Sequence, residues 1–202
     1  MIRTGAFIVL LLTLLVGCAD KKSADQPAQP TATSGPGTVL DPPREVGDFT
    51  LTSQTGDPLH LSDLQGKVVL LFFGYTHCPD VCPITLSDFK RVKANLGETA
   101  AQVAFVFVSV DGERDTPERL AEYIGAFDPD FIGLTGDDTT IKSITQDYGV
   151  FYQRESYDDP NYLVTHTAST FVLDAQGRLH TVFPYATDPV LIADGVRALL
   201  RG

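Results

Sequence analysis

Phe72-Phe73-Gly74-Tyr75-Thr76-His77-Cys78-Pro79-Asp80-Val81-Cys82-Pro83 is the stretch on which both the fold and the chemistry of this chain turn. It continues an apolar run that starts at Val68. Six consecutive apolar residues, Val68 to Phe73, are the mark of a central strand covered on both faces. Downstream, Leu86, Phe89, Val92 and Leu96 recur at helical spacing, which predicts a helix over Thr85–Leu96. Cys78 and Cys82 therefore sit at a strand-to-helix junction. On a helical turn, residues i and i+4 point to the same side. Such a pair can share one soft metal ion, or it can oxidise to a disulfide.

The remaining elements follow outward from that junction. Phe49–Leu51 and Leu59–Leu61 flank Thr55-Gly56-Asp57-Pro58, a hairpin signal, and Ser62–Lys67 reads as a short helical turn closed by Gly66. Val103–Val110 is a second buried strand. Asp115-Thr116-Pro117-Glu118 opens a helix to about Phe127, with a capping residue, Pro in the first turn and an acid behind it. A short strand at Phe131–Leu134 and a helix at Thr139–Tyr148 come next. Strands over Asn161–Thr167 and Ala168–Leu173, the turn Asp174-Ala175-Gln176-Gly177 and a strand at Arg178–Phe183 follow. A last helix is introduced by Asp188-Pro189. Alternating strands and helices with a late β-hairpin predict an α/β fold. Its mixed central sheet is flanked by helices and extended by an N-terminal β-hairpin, and the natural candidate is thioredoxin-like.

The first 44 residues read differently. Residues 1–17 carry Arg3, no acid, and the apolar stretch Ala6–Val16, ending in Leu15-Val16-Gly17-Cys18. This resembles a lipoprotein signal peptide in which Cys18 is diacylated and becomes the mature N-terminus. The competing reading, an uncleaved anchor, suffers from an apolar run short for a spanning helix. Residues 18–44 then form the lipidated Cys and a flexible tether, rich in Ala, Pro, Gln, Thr, Ser and Gly. The globular domain is expected over 45–202. The expected location is extracytoplasmic, at a bacterial cell membrane by the lipid anchor, a compartment that tolerates disulfides. The chain carries 15 basic and 26 acidic side chains, net −11, which becomes −12 once Arg3 is removed. That charge argues against a nucleic-acid partner and against adhesion to anionic lipid by charge.

Cys78 and Cys82 are spaced Cys-x-x-x-Cys. Ideal helical Cα atoms four apart lie about 6 Å from each other, which leaves a disulfide feasible. With only three cysteines, one of them the lipidated Cys18, a four-thiolate zinc site cannot be completed within the chain. Two sulfurs and one imidazole suit copper, as Cu(I) or Cu(II). Four histidines compete for the third place. His60 and His180 sit in strands where a surface position is expected, and His77 points elsewhere on the cysteine turn. His166 precedes a strong strand, in the loop that faces the cysteine turn in a thioredoxin-like fold, and is the expected ligand. The plain redox reading makes Cys78 the nucleophile and Cys82 the resolving thiol. The chain has no Trp, unlike the Trp-Cys-x-x-Cys of ordinary thioredoxins. Thr76, two before Cys78, gives only a faint likeness to peroxiredoxins.

Three segments together resemble the Sco/SenC family: Phe72–Pro83, Val108-Ser109-Val110-Asp111 with Arg114-Asp115-Thr116-Pro117, and His166-Thr167-Ala168-Ser169-Thr170. The resemblance covers about residues 45–200. It implies a thioredoxin-like, membrane-anchored, copper-binding assembly factor for the binuclear copper site of cytochrome c oxidase. It also implies Cys78, Cys82 and His166 as ligands, with Asp80 and Asp111 nearby to tune the imidazole or meet a partner. The implied partners are the copper-accepting oxidase subunit and another periplasmic copper chaperone or thiol reductase. Two residues depart from the family pattern. Thr165 stands where an Asp usually precedes the histidine, and Gly112 replaces the usual Pro after Asp111, which is expected to loosen that loop.

Overall fold

A computed structural model describes residues 37–201. The signal-peptide and Cys18 expectations lie outside the described residues. The described chain forms strands β1 (Thr38–Arg44), β2 (Thr50–Ser53), β3 (Pro58–His60), β4 (Val68–Gly74), β5 (Val103–Ser109) and β6 (Ile132–Thr135), then β7 (Tyr152–Arg154), β8 (Val164–His166), β9 (Thr170–Leu173) and β10 (Leu179–Phe183). Its α-helices are α1 (Val81–Leu96), α2 (Pro117–Gly125), α3 (Asp138–Tyr148) and α4 (Pro189–Arg201).

Eight strands make one mixed sheet in the order β1-β10-β9-β4-β5-β6-β2-β3. Its middle, β4-β5-β6, is parallel, and every other pairing is antiparallel. All seven residues of β4 and all seven of β5 are buried, as continuous apolar runs require when both faces are covered. On one face Phe105 meets Phe89 of α1 and Phe107 meets Tyr123 of α2. On the other, Phe73 meets Tyr148 of α3 and Phe171 of β9. The β2–β3 hairpin extends the sheet beyond β6, where Thr52 pairs with Thr135.

β1 corrects the expected boundary at residue 45. Thr38–Arg44, assigned by composition to the tether, pairs antiparallel with β10. The strand contains Pro42 and Pro43, which an edge strand tolerates because residues there need not donate to a ladder. Gly37 fits for a packing reason: a Cβ there would come within 2.5 Å of the Phe183 ring. A second departure lies at the other end of the fold. β7 and β8 pair only with each other, as a separate two-stranded sheet (Tyr152↔His166, Arg154↔Val164). Sequence reading placed a strand over Asn161–Thr167 without showing that it leaves the main sheet.

Candidate metal centre

β4 delivers the chain to the cysteines. Gly74 ends it where no side chain fits, since a Cβ would come within 2.8 Å of Cys82 Sγ and of the Phe72 and Phe107 rings. A turn over Thr76 and His77 follows, and the Cys78 N–H donates to the Tyr75 carbonyl at 3.3 Å. Helix α1 starts at Val81, four residues before the expected start. Cys82 therefore lies in the first helical turn and Cys78 before the helix. The two sulfurs converge through a proline-flanked turn, not through i,i+4 spacing on one regular helix. Pro83 falls among the first helical positions, whose N–H groups have no intrahelical acceptor.

β9 runs antiparallel to β4, with Thr170 opposite Phe72. The segment entering β9 thus passes over the carboxyl end of β4, where the cysteines stand. His166 is four residues before Thr170. The ligand atoms of Cys78, Cys82 and His166 all lie within 4.8 Å of one another, and His166 Nε2 is 3.6 Å from Cys82 Sγ. His166 Nδ1 lies 3.1 Å from the Thr167 carbonyl oxygen. A carbonyl can only accept, so Nδ1 carries a proton toward it and Nε2 is the ring nitrogen that faces the sulfurs. The Phe72 and Tyr75 rings both meet the imidazole in T-shaped contacts, each at 5.9 Å between centroids. Two sulfurs and an oriented imidazole form a donor set for one soft ion.

Both cysteines are free thiols in chemically different surroundings. Cys82 is fully buried and Cys78 partly exposed. The Cys78 thiol is pulled down to about 3, first by the hydrogen bond it receives from Cys82, then by His166 and the N–H groups of Asp80 and Cys82, against a burial cost. The Cys82 thiol is pushed up, first because its proton serves that same bond and then by burial. The pair holds one thiolate on the exposed sulfur and one proton on the buried one.

The other expected residues divide. Asp80 is exposed and its carboxylate makes no hydrogen bond among the described residues, so it does not tune the imidazole. Asp111 is buried and touches Tyr162 and Arg114 rather than His166. Thr165 is exposed and donates to Glu155 at 3.0 Å, away from the imidazole. The Thr167 carbonyl takes the orienting role expected of an acid. Gly112 does not loosen its loop. A Cβ there would come within 2.0 Å of the Gly136 carbonyl oxygen, and the N–H groups of Arg114 and Asp115 both bond back to the Asp111 carbonyl. His60 is exposed on Thr50, and His180 is half-buried beside Thr181. His77 faces Asp115 at 3.6 Å. Together with Asp111 and Asp115, His77 forms a second compact trio of ligand-type groups. Both carboxylates of that trio are occupied by hydroxyl, N–H or guanidinium donors, so it makes a poor ion site.

Sequence reading missed Asp115 as a structural anchor. It is completely buried and accepts from the Thr76 N–H at 2.9 Å, the Thr76 hydroxyl at 2.7 Å and the Ser109 hydroxyl at 2.6 Å. It therefore pins the cysteine turn to the end of β5. The available signal was Thr116, which takes the α2 cap itself by accepting from the Arg119 N–H and leaves Asp115 free for another task.

Comparison with known proteins agrees with this architecture. The SCO1/SenC family model matches residues 38–201, starting at β1. An SCO2-like protein of Rickettsia felis is 36% identical over 177 residues, covering 85% of each chain. The SenC protein of Rhodobacter capsulatus is 36% identical over 154 residues, covering 76% of this chain and 70% of that one. Among solved structures, apo Sco1 of Thermus thermophilus is 44% identical with a TM-score of 0.74, over 84% of this chain and 99% of that one. Bradyrhizobium japonicum ScoI with copper bound is 38% identical with a TM-score of 0.70, over 76% and 98%. The thioredoxin-like sheet, the Cys-x-x-x-Cys turn at the end of β4 and the histidine ahead of β9 thus occur in a chain whose whole described length fits one model: this protein belongs to the SCO1/SenC family.

Proposed function

We propose that this chain is a membrane-anchored extracytoplasmic copper chaperone that serves the binuclear copper site of cytochrome c oxidase. The observation that carries the reading is the convergence of Cys78, Cys82 and His166 within 4.8 Å. Two thiolates select Cu(I), and the added imidazole makes the site acceptable to Cu(II) as well. ScoI of Bradyrhizobium japonicum holds copper on a 38% identical chain, and the Sco family is one of cytochrome c oxidase assembly proteins. Copper is cargo here. Cys78, the more exposed sulfur and the one held as thiolate, is the donor an acceptor cysteine can reach first. Asp80, exposed beside it, is free to meet the acceptor. Cys18 supplies the lipid anchor, and the segment before β1 lets the domain reach above the membrane.

The test is the copper content of the reduced full chain beside its His166→Ala variant. Stoichiometric copper is expected in the parent and its loss in the variant. Retention of stoichiometric copper with an unchanged spectrum in His166→Ala would falsify the three-ligand site.

One observation favours a second activity at the same pair. A thiolate on exposed Cys78 and a proton on buried Cys82 are the arrangement of a thiol–disulfide exchanger. The Cys78 thiolate would attack a partner disulfide, forming a mixed disulfide and releasing one partner thiolate. Cys82, giving its proton to the released partner thiolate, would then attack the Cys78 sulfur, releasing the second partner thiolate and leaving Cys78–Cys82 oxidised. His166→Ala separates the two activities: it removes a copper ligand, while the Cys82 hydrogen bond, the leading cause of the Cys78 thiolate, stays in place for disulfide reduction.

A further inference from the structure

His166 is carried by an element that cannot hold itself in place. β7 and β8 are three residues each and pair only with one another. A lone hairpin of that size is at best marginal in water. The imidazole must nevertheless stay in reach of two sulfurs carried by the main sheet and α1. Something other than strand pairing fixes the hairpin.

Val164 is buried in the core and the Tyr152 hydroxyl donates to Asp138 of α3 at 2.7 Å; toward the loop that anchors the cysteines, the fixture is a stack around Tyr162. The guanidinium of Arg114 lies 3.5 Å from the centre of its ring, and the guanidinium of Arg154 also lies 3.5 Å from that centre. Two guanidinium groups cannot share one face at that distance, so they cover opposite faces. Each has its own carboxylate: Asp111 accepts from Arg114 Nε at 2.6 Å, and Glu113 accepts from Arg154 Nη1 at 2.7 Å. The Tyr162 hydroxyl donates to the other oxygen of Asp111. Tyr162 and Arg154 belong to the β7–β8 hairpin. Asp111, Glu113 and Arg114 belong to the β5–α2 loop, which Asp115 ties to the cysteine turn. Tyr162 and Asp111 are buried, so these contacts act where water competes little. Arg114 also lies 5.8 Å from the Tyr75 ring, which makes a T-shaped contact with His166.

We propose that Tyr162, clasped between Arg114 and Arg154 and bonded to Asp111, is a positioning device that locks the His166 hairpin onto the loop anchoring the cysteines. It thereby sets the third ligand of the metal centre. The proposal rests on the copper reading given above for its metal arm only. Tyr162→Phe removes the hydroxyl link and keeps the stack. Arg154→Gln removes one guanidinium and the Glu113 link. A hairpin freed in this way loosens the imidazole while the sulfur pair stays in place. Cu(II), which relies more on nitrogen, should then weaken more than Cu(I).

The test uses the reduced full chain as parent, Tyr162→Phe, Arg154→Gln and the double variant. The first readout is backbone amide exchange without metal. Amides of residues 152–154 and 164–167 should exchange about tenfold faster in the double variant, while those of β4 and β5 stay unchanged. The second readout is affinity. Cu(II) should bind about 10–100-fold more weakly, with Cu(I) within about threefold of the parent. Unchanged hairpin exchange in the folded double variant would overturn the proposal. So would a uniform rise across β4 and β5, which would mark a general folding role, or equal losses of Cu(I) and Cu(II). If the parent binds no copper, the functional reading fails, and the exchange readout still decides whether the clasp fixes the hairpin.

Discussion

Cys78 and Cys82 are alike in sequence and unlike in the fold. One sulfur is partly exposed and held as thiolate by its buried neighbour, and the other keeps its proton. An ordinary thiol loses about tenfold in thiolate for each pH unit below about 8.5. Cys78, lowered to about 3, should not. In the reduced, metal-free chain its alkylation by iodoacetamide is expected to stay nearly level from pH 8 down to pH 5, falling only as pH approaches about 3. Cys82, raised and buried, should resist alkylation throughout. Mass spectrometry of the two cysteine peptides over a pH series checks this, and a tenfold fall per unit at Cys78 would sink it. The pair was readable from the sequence as reactive. The division of labour was not, because it depends on which sulfur the folded chain covers.

At the scale of elements, the β5–α2 loop joins the two halves of the site. Its Asp115 holds the cysteine turn, and its Asp111 and Arg114 hold the Tyr162 side of the histidine hairpin. The sequence placed Asp111 near the site, though the reason is a tyrosine rather than the imidazole. Asp115→Ala would orphan the Thr76 N–H and the Thr76 and Ser109 hydroxyls in a buried pocket. Each orphaned donor costs about 1–3 kcal/mol. A loss of about 3 kcal/mol or more is expected in urea denaturation of the reduced chain. A loss below about 1 kcal/mol would show that the anchor carries little weight. The β7–β8 hairpin itself was the element least open to sequence reading. Sequence reading placed β8 inside a strand over Asn161–Thr167 but assigned no strand to Tyr152–Arg154, and nothing local says that the pair leaves the main sheet.

Over the whole molecule, acidity and architecture point the same way. The chain carries net charge −11, and acids such as Asp80, Asp158 and Asp159 are exposed. The proposed copper acceptor should therefore present a basic face, and attraction should speed encounter more than it tightens the complex. Copper transfer to such an acceptor is expected to slow about tenfold between low and high salt, with the charge-screening length falling from about 30 Å at 0.01 M to about 3 Å at 1 M. Stopped-flow transfer rates across a salt series would measure it. A salt-independent rate would remove charge from the docking step.

The sequence alone determined the central strands, the helices and the chemical type of the site. Short apolar runs bounded by turn residues and rich in Val and Phe mark buried strands, capping residues mark helix starts locally, and two thiols with an imidazole have a narrow chemistry. Tertiary structure decided the rest, because each remaining feature depends on residues far apart in the chain. Thr38–Arg44 becomes a strand only because β10 offers it an edge. Thr165 loses its expected importance because the Thr167 carbonyl orients the imidazole. His166 reaches the sulfurs of Cys78 and Cys82 because β9 runs antiparallel to β4 and because Tyr162 is held between two arginines. Spacing along the chain does not encode such distances; packing creates them.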